Sequence, residues 1–204
     1  LVEIGLLARD PDGLYRLGPH TLELSRAFLG QTDFHSEFQR AVPELGVLPE
    51  QTLVCAVLRG RDVVYIGRRP GTSPLGVSYE IGMRLPAHVT ATGLSILATL
   101  PEAEVEELYE GTELEQLTER SIGTVKELRE RLATVRKRGY AVDDGETVRG
   151  MTCIGATVTG DAGETVGAVA VSMPKGGRSS AQLNSDAADL RALVERISRG
   201  LGAP

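Results

Sequence analysis

Two residues with chemically active side chains, Cys153 and Ser172, stand in the middles of two β-rich runs, residues 152–159 and 165–173. The runs are joined by Gly160-Asp161-Ala162-Gly163-Glu164, which has turn-forming composition. Neighbouring strands of a tight hairpin aim a thiol and a hydroxyl into one cavity when the two residues share a face. Asp143 falls just past a preceding strand at 140–142 and adds a carboxylate. Thr90-Ala91-Thr92-Gly93 opens a predicted helix with small side chains, leaving room and accessible backbone N–H groups that suit a carboxylate-bearing ligand. A few convergent polar groups in apolar surroundings are the composition of a small-molecule pocket.

The same residues admit other chemistry. Cys153 with His88 would make a nucleophile–base pair, but no glycine elbow, oxyanion-hole signature or orienting motif accompanies them. His88, Cys153 and Asp143 offer N, S and O ligands of the kind zinc takes, without any metal-ligand spacing. The plain alternatives are a cysteine that packs, a histidine that caps backbone groups and an Asp143-Asp144 pair in water. No catalytic residue, metal or cofactor is therefore expected.

The elements that must position these residues alternate between strand pairs and helices. Residues 1–5 read as a helix tail broken at Gly5, followed by a small hairpin around Asp10-Pro11-Asp12-Gly13. A helical pattern runs from Pro19 to Gly30, and a polar stretch, 31–39, leads to a second helical piece around residues 41–45. Strands at 52–58 and 63–66 flank Arg59-Gly60-Arg61-Asp62, and a short strand is expected at 77–79 after a Gly/Pro/Ser-rich loop. Helices are predicted over 90–100, 101–109, 124–138 and 186–199, the third with Val125, Leu128, Leu132 and Val135 on one face. Strand pairs separated by helices predict an α+β domain, a mostly antiparallel sheet covered by helices.

The chain has 204 residues, 41% hydrophobic and 25% charged, with no Trp, which suits an ordinary globular fold with one sizeable core. Its formal charge of −6 provides no basic footprint for nucleic acid. The two cysteines, Cys55 and Cys153, are far apart and in no C-x-x-C arrangement, pointing to a reducing, cytoplasmic setting. No apolar run approaches the roughly 20 residues that span a bilayer, and no secretion signal is evident. The chain opens at Leu1 and runs at once into Val2-Glu3-Ile4-Gly5, so it is expected to begin inside a structural element.

Three segments together resemble the IclR-type bacterial transcriptional regulators. The first is Gly5-Leu6-Leu7 through Tyr15-Arg16-Leu17-Gly18. The second is Gly82-x-Arg84-x-Pro86-x-His88-x-Thr90-Ala91-x-Gly93. The third is Arg138-Gly139-Tyr140-Ala141-x-Asp143-Asp144-x-Glu146, with Gly150-x-x-Cys153-Ile154-x-Ala156 and Ala168-Val169-Ala170-Val171-Ser172-Met173-Pro174. The resemblance implies the end of a recognition helix and the wing of a winged helix-turn-helix at 1–18, linker helices at 19–45, and a GAF-like effector-binding domain at 46–204. It implies a ligand-responsive DNA-binding regulator, acting as a homodimer or tetramer on operator DNA, with most DNA-gripping residues upstream of Leu1. Tyr15 and Arg16 would be wing residues at DNA. Val77, Ala91, Thr92, Gly93, Asp143, Cys153, Ala170 and Ser172 would line the effector site. Ala170 stands where the family often has serine, Leu94 where lysine is common and Met173 where glycine is common, which favours an aromatic or medium-sized acid over a small keto acid. A stand-alone sensor acting on a protein partner and a Cys-dependent hydrolase are the alternatives.

Overall fold

In the computed structural model the described residues are 1–30, 33–72, 79–176 and 179–203. Two strands, β1 (Leu7–Arg9) and β2 (Tyr15–Leu17), form a separate small antiparallel hairpin. Residues 2–5 ahead of it form a turn rather than the end of a helix, with the Gly5 N–H donating to the Val2 carbonyl. Helix α1 (His20–Gly30) follows and buries no residue.

Helix α2 (Asp33–Leu45) begins well before the helical piece expected near residue 41. Its polar composition hides Phe34, Phe38, Ala41 and Val42, which recur at three- and four-residue spacing and are all buried.

Six strands then build one antiparallel sheet: β3 (Thr52–Arg59), β4 (Asp62–Arg69), β5 (Arg84–Pro86), β6 (Ala141–Asp143), β7 (Met151–Thr159) and β8 (Thr165–Pro174). Their spatial order is β5-β4-β3-β8-β7-β6. The short β5 lies where no strand was expected, paired to the start of β4. Of the strand expected at 77–79, residues 77 and 78 lie outside the described residues, and Tyr79 is in no strand.

One face of the sheet is covered by α3 (Ala91–Leu97), α4 (Glu102–Tyr109) and α5 (Val125–Arg138), which contribute Leu94, Leu97, Val105, Leu128 and Leu132 to its core. The other face is covered by α2 and by α6 (Ser180–Gly200), through Phe34, Phe38, Leu190, Leu193 and Ile197. The result is a three-layer α+β domain, as the alternation of strand pairs and helices predicts.

Helix ends follow their local chemistry. Thr124 and Glu127 form a capping box at the start of α5, and Gly139 ends it in the left-handed conformation at φ 80°. Helix α6 starts earlier than residue 186 because Ser179 and Gln182 form a second capping box. Helix α3 is shorter than its predicted span, only two turns.

Candidate functional site

Strand alternation decides which side chains meet. Asp143 pairs with Cys153, Cys153 with Ser172, and Ser172 with Thr52, so one cross-strand row runs over β6, β7, β8 and β3. The next row on the same face is Ala141, Gly155, Ala170 and Val54. Because Gly155 has no side chain, α3 sits directly on this row: a Cβ there would come within 2.3 Å of the Ala91 carbonyl oxygen. The sheet thus brings Asp143, Cys153, Ala170 and Ser172 together beneath Ala91 and Thr92.

A closed set of polar contacts occupies the centre. The Cys153 thiol lies 3.2 Å from Ser172 Oγ and 3.6 Å from the Tyr79 hydroxyl, and Ser172 Oγ donates to that hydroxyl at 3.2 Å. The Tyr79 ring packs on Tyr65 at a centroid distance of 5.2 Å and a 60° tilt. Thr92 Oγ1 stands near the Tyr65 phenol without completing a hydrogen bond of good geometry, and is one of the buried polar atoms left without a partner. Tyr65 and Tyr79 escape a reading of sequence pattern alone. A tyrosine in an apolar run is indistinguishable from core until its hydroxyl is located.

Asp143 closes β6 rather than lying beyond it. Its Oδ1 accepts the backbone N–H groups of Glu146 and Thr147 at 2.6 and 3.2 Å. Burial raises its pKa from the ordinary carboxylate value, against the lowering effect of those hydrogen bonds. Asp144, by contrast, faces outward and pairs with Arg120 and Lys175. The turn after Asp143 is pinned by the hydroxyls of Thr118 and Ser121, which donate to the Gly145 and Glu146 carbonyls, and by Thr147, which donates to the Val89 carbonyl just before α3. Glu146 is itself buried, its Oε1 2.6 Å from Arg131 Nη1 on α5 and its Oε2 without a partner.

Other residues fall elsewhere. Gly93 faces the Ala87 backbone, where a Cβ would approach the carbonyl oxygen to 2.2 Å, so its smallness serves packing. Its N–H is taken by Thr90 Oγ1 at 3.0 Å, and the expected set of free N–H groups at this helix start is reduced accordingly. Leu94 lies in the same core as Cys153 and Ala170, whereas Met173 points to the opposite face of the sheet, so its substitution does not bear on the polarity of the site. Val77 lies outside the described residues.

His88 Nε2 is 2.9 Å from the Glu115 carbonyl and its ring meets Tyr109 edge-on, which is a structural role. Among the described residues no three His, Cys, Asp or Glu side chains converge as metal ligands. Burial first, and the nearby Asp143 carboxylate second, push the Cys153 thiol up to about 12, where it is no nucleophile.

In the small hairpin, the exposed Arg16 pairs through Nη2 at 2.8 Å with the largely covered Asp10 carboxylate, and Arg9 lies over the exposed Tyr15 ring. No helix among the described residues is long and apolar enough to cross a membrane.

The architecture is an antiparallel sheet with a polar row buried under a short helix. The family model for the bacterial transcriptional regulator IclR C-terminal region matches residues 26–199. The chain is 30% identical over 201 residues to the HTH-type transcriptional regulator XynR of Escherichia coli, covering 98% of this chain and 80% of that protein. Among solved structures it is similar to the Agobacterium tumefaciens repressor BlcR, with a TM-score of 0.80 and 36% identity over 100% of this chain and 81% of that one. It is also similar to the IclR of Thermotoga maritima, with a TM-score of 0.84 and 28% identity over 99% and 82%. The chain belongs to the IclR family of transcriptional regulators. It is a ligand-responsive regulator of transcription, not an enzyme, and neither the hydrolase nor the stand-alone sensor is supported.

Proposed function

We propose that an effector binds between α3 and the sheet, at Asp143, Cys153, Ala170 and Ser172 with Ala91 and Thr92 around them, and thereby changes occupancy of operator DNA. The domain layout that goes with this reading is a wing and its approach at 1–18, a linker at 19–45 and the effector domain at 46–204, with Tyr15 and Arg16 at the DNA. A second copy of the chain, as dimer or tetramer, carries the change from one winged helix to the other. The ligand must bind the two quaternary arrangements with different affinity, since a ligand indifferent to them shifts nothing.

One observation carries the reading: the Tyr79–Ser172–Cys153 triangle with Asp143 beside it and the unpartnered Thr92 hydroxyl, a polar set buried on a face that is otherwise apolar. Of this set the Thr92 hydroxyl is the one left without a partner, and a ligand that satisfies it recovers the cost of burying it. With alanine at 170, the ligand class is an aromatic metabolite or a medium-sized carboxylic acid.

A thermal-shift screen of such compounds tests this, because a ligand at 100 times its Kd adds about 2.7 kcal/mol of stability. A hit is expected to lose affinity about tenfold in Ser172→Ala and in Thr92→Val, each of which removes one hydroxyl from the site. Unchanged affinity in both variants overturns the site.

A further inference from the structure

Cys153 and Ser172 belong to central strands, whereas Tyr79 itself lies in neither helix nor strand. Its backbone carbonyl is held by Arg68 Nη1 at 2.7 Å, and its phenol reaches down to the sheet and is only 4% exposed. There its hydroxyl takes the hydrogen-bonding positions that Ser172 and Cys153 present toward α3. Of the three groups in the triangle, it is the one whose departure leaves the sheet's ladder intact. The place it fills is bordered by the Tyr65 ring, tilted 60° to it, and ends at a hydroxyl and a thiol.

We propose that Tyr79 is a resident surrogate for the effector: a ligand made of an aromatic ring bearing a hydroxyl takes the place of the Tyr79 phenol on Ser172 and Cys153. This rests on the effector-site reading above and narrows its ligand class to phenols. The exchange replaces two hydrogen bonds by two of the same kind, so Tyr79 sets affinity by competition and sets specificity by demanding a group that satisfies the same partners. A ring without a hydroxyl leaves Ser172 Oγ and Cys153 Sγ without their third partner and is rejected for that reason.

The test uses 4-methylphenol, the tyrosine side chain as a free molecule, with toluene as the control that lacks the hydroxyl. Isothermal titration of the protein and of Tyr79→Phe is expected to show 4-methylphenol binding about fivefold tighter to the variant, because the ligand hydroxyl then meets partners already released. Toluene is expected to bind both proteins more weakly than 4-methylphenol and to gain by the same factor in Tyr79→Phe, since any ligand that displaces Tyr79 breaks its hydrogen bonds, and Ser172→Ala combined with Tyr79→Phe is expected to lower the preference for 4-methylphenol over toluene. Weaker binding to Tyr79→Phe would mean that the phenol contacts the ligand rather than competing with it, and equal binding that it only packs. Absence of 4-methylphenol binding to either protein overturns the ligand class, and each of these results ends the proposal. If a carboxylic acid from the screen still binds and still depends on Ser172, the effector site stands without the surrogate. If that acid ignores Ser172, the site reading falls as well.

Discussion

The two faces of the six-stranded sheet are built from the same strands and differ in almost everything else. Toward α2 and α6 the strands present Leu53, Cys55, Val57, Ile154, Val158, Val169, Val171 and Met173, an apolar surface with Thr152 at its edge. Toward α3 the same strands present Thr52, Asp143, Cys153 and Ser172 among their apolar residues. The two cysteines summarise the contrast. Cys55 fills the space over Gly67, where a Cβ would approach its sulfur to 2.7 Å, and only burial acts on its thiol, raising its pKa. Cys153 is equally buried but touches a serine, a tyrosine and the field of a carboxylate. Burial alone therefore does not distinguish the two cysteines; the residues one strand over do.

If the apolar face is the stabilising one, the largest stability loss comes from cutting into it. Leu190→Ala, on the fully buried side of α6, is expected to cost about 3 kcal/mol in denaturant unfolding, the usual cost of a core cavity. Its ligand affinity is expected to match that of the unaltered protein in titrations. A change in affinity as large as the stability loss would show that the two faces do not divide the work in this way.

A pair of near-isosteric exchanges at about half that size sharpens the comparison. Val171 and Thr92 are both buried, one in each core layer. Val171→Thr brings a hydroxyl into the apolar face and is expected to lower unfolding free energy by about 2 kcal/mol. Thr92→Val removes a hydroxyl that already lacks a partner, and is expected to raise it by about 1 kcal/mol while weakening the effector. Opposite signs for the two exchanges support a polar site maintained against stability. Loss of stability in both would place the Thr92 hydroxyl among structural groups.

The contrast between faces also explains what could be read before the fold was known. Alternation in residues 152–159 and 165–173 places Cys153 and Ser172 on one side and Ile154 and Val171 on the other, because side-chain direction in a strand has a period of two. The α+β class, the main strand pairs and helix α5 follow from periodicity and caps of the same local kind. Helix α2 did not follow, since its Phe34 and Phe38 are embedded in polar residues, and neither did β5, whose three residues exist as a strand only by pairing with β4. The nearness of Asp143, Cys153, Ala170 and Ser172 in the candidate site was legible from the family motif, and the part of Tyr65 and Tyr79 was not. Gly93 shows the converse: a motif glycine whose reason is the nearness of the Ala87 backbone.

The smallest expected effect concerns the titration of Glu146, buried in the turn after Asp143. Burial, opposed by Arg131, pushes Glu146 up to about 7 from its ordinary 4.5. A carboxyl whose pKa is higher in the folded protein than in the unfolded chain favours the fold in its protonated form. That contribution is complete below about pH 4.5 and is lost as pH rises through about 7. Glu146→Gln keeps the shape and fixes the neutral form, so the variant should lose less stability than the unaltered protein between pH 5 and pH 8 (roughly the interval across which a carboxyl so shifted titrates). Part of the slope remains in the variant, because Asp143 is raised in the same direction. Thermal melts of both proteins across that interval decide the matter. Parallel curves would mean that Arg131 holds Glu146 ionised throughout, and the polar face would then carry a fixed ion pair beside the site instead of a titrating one.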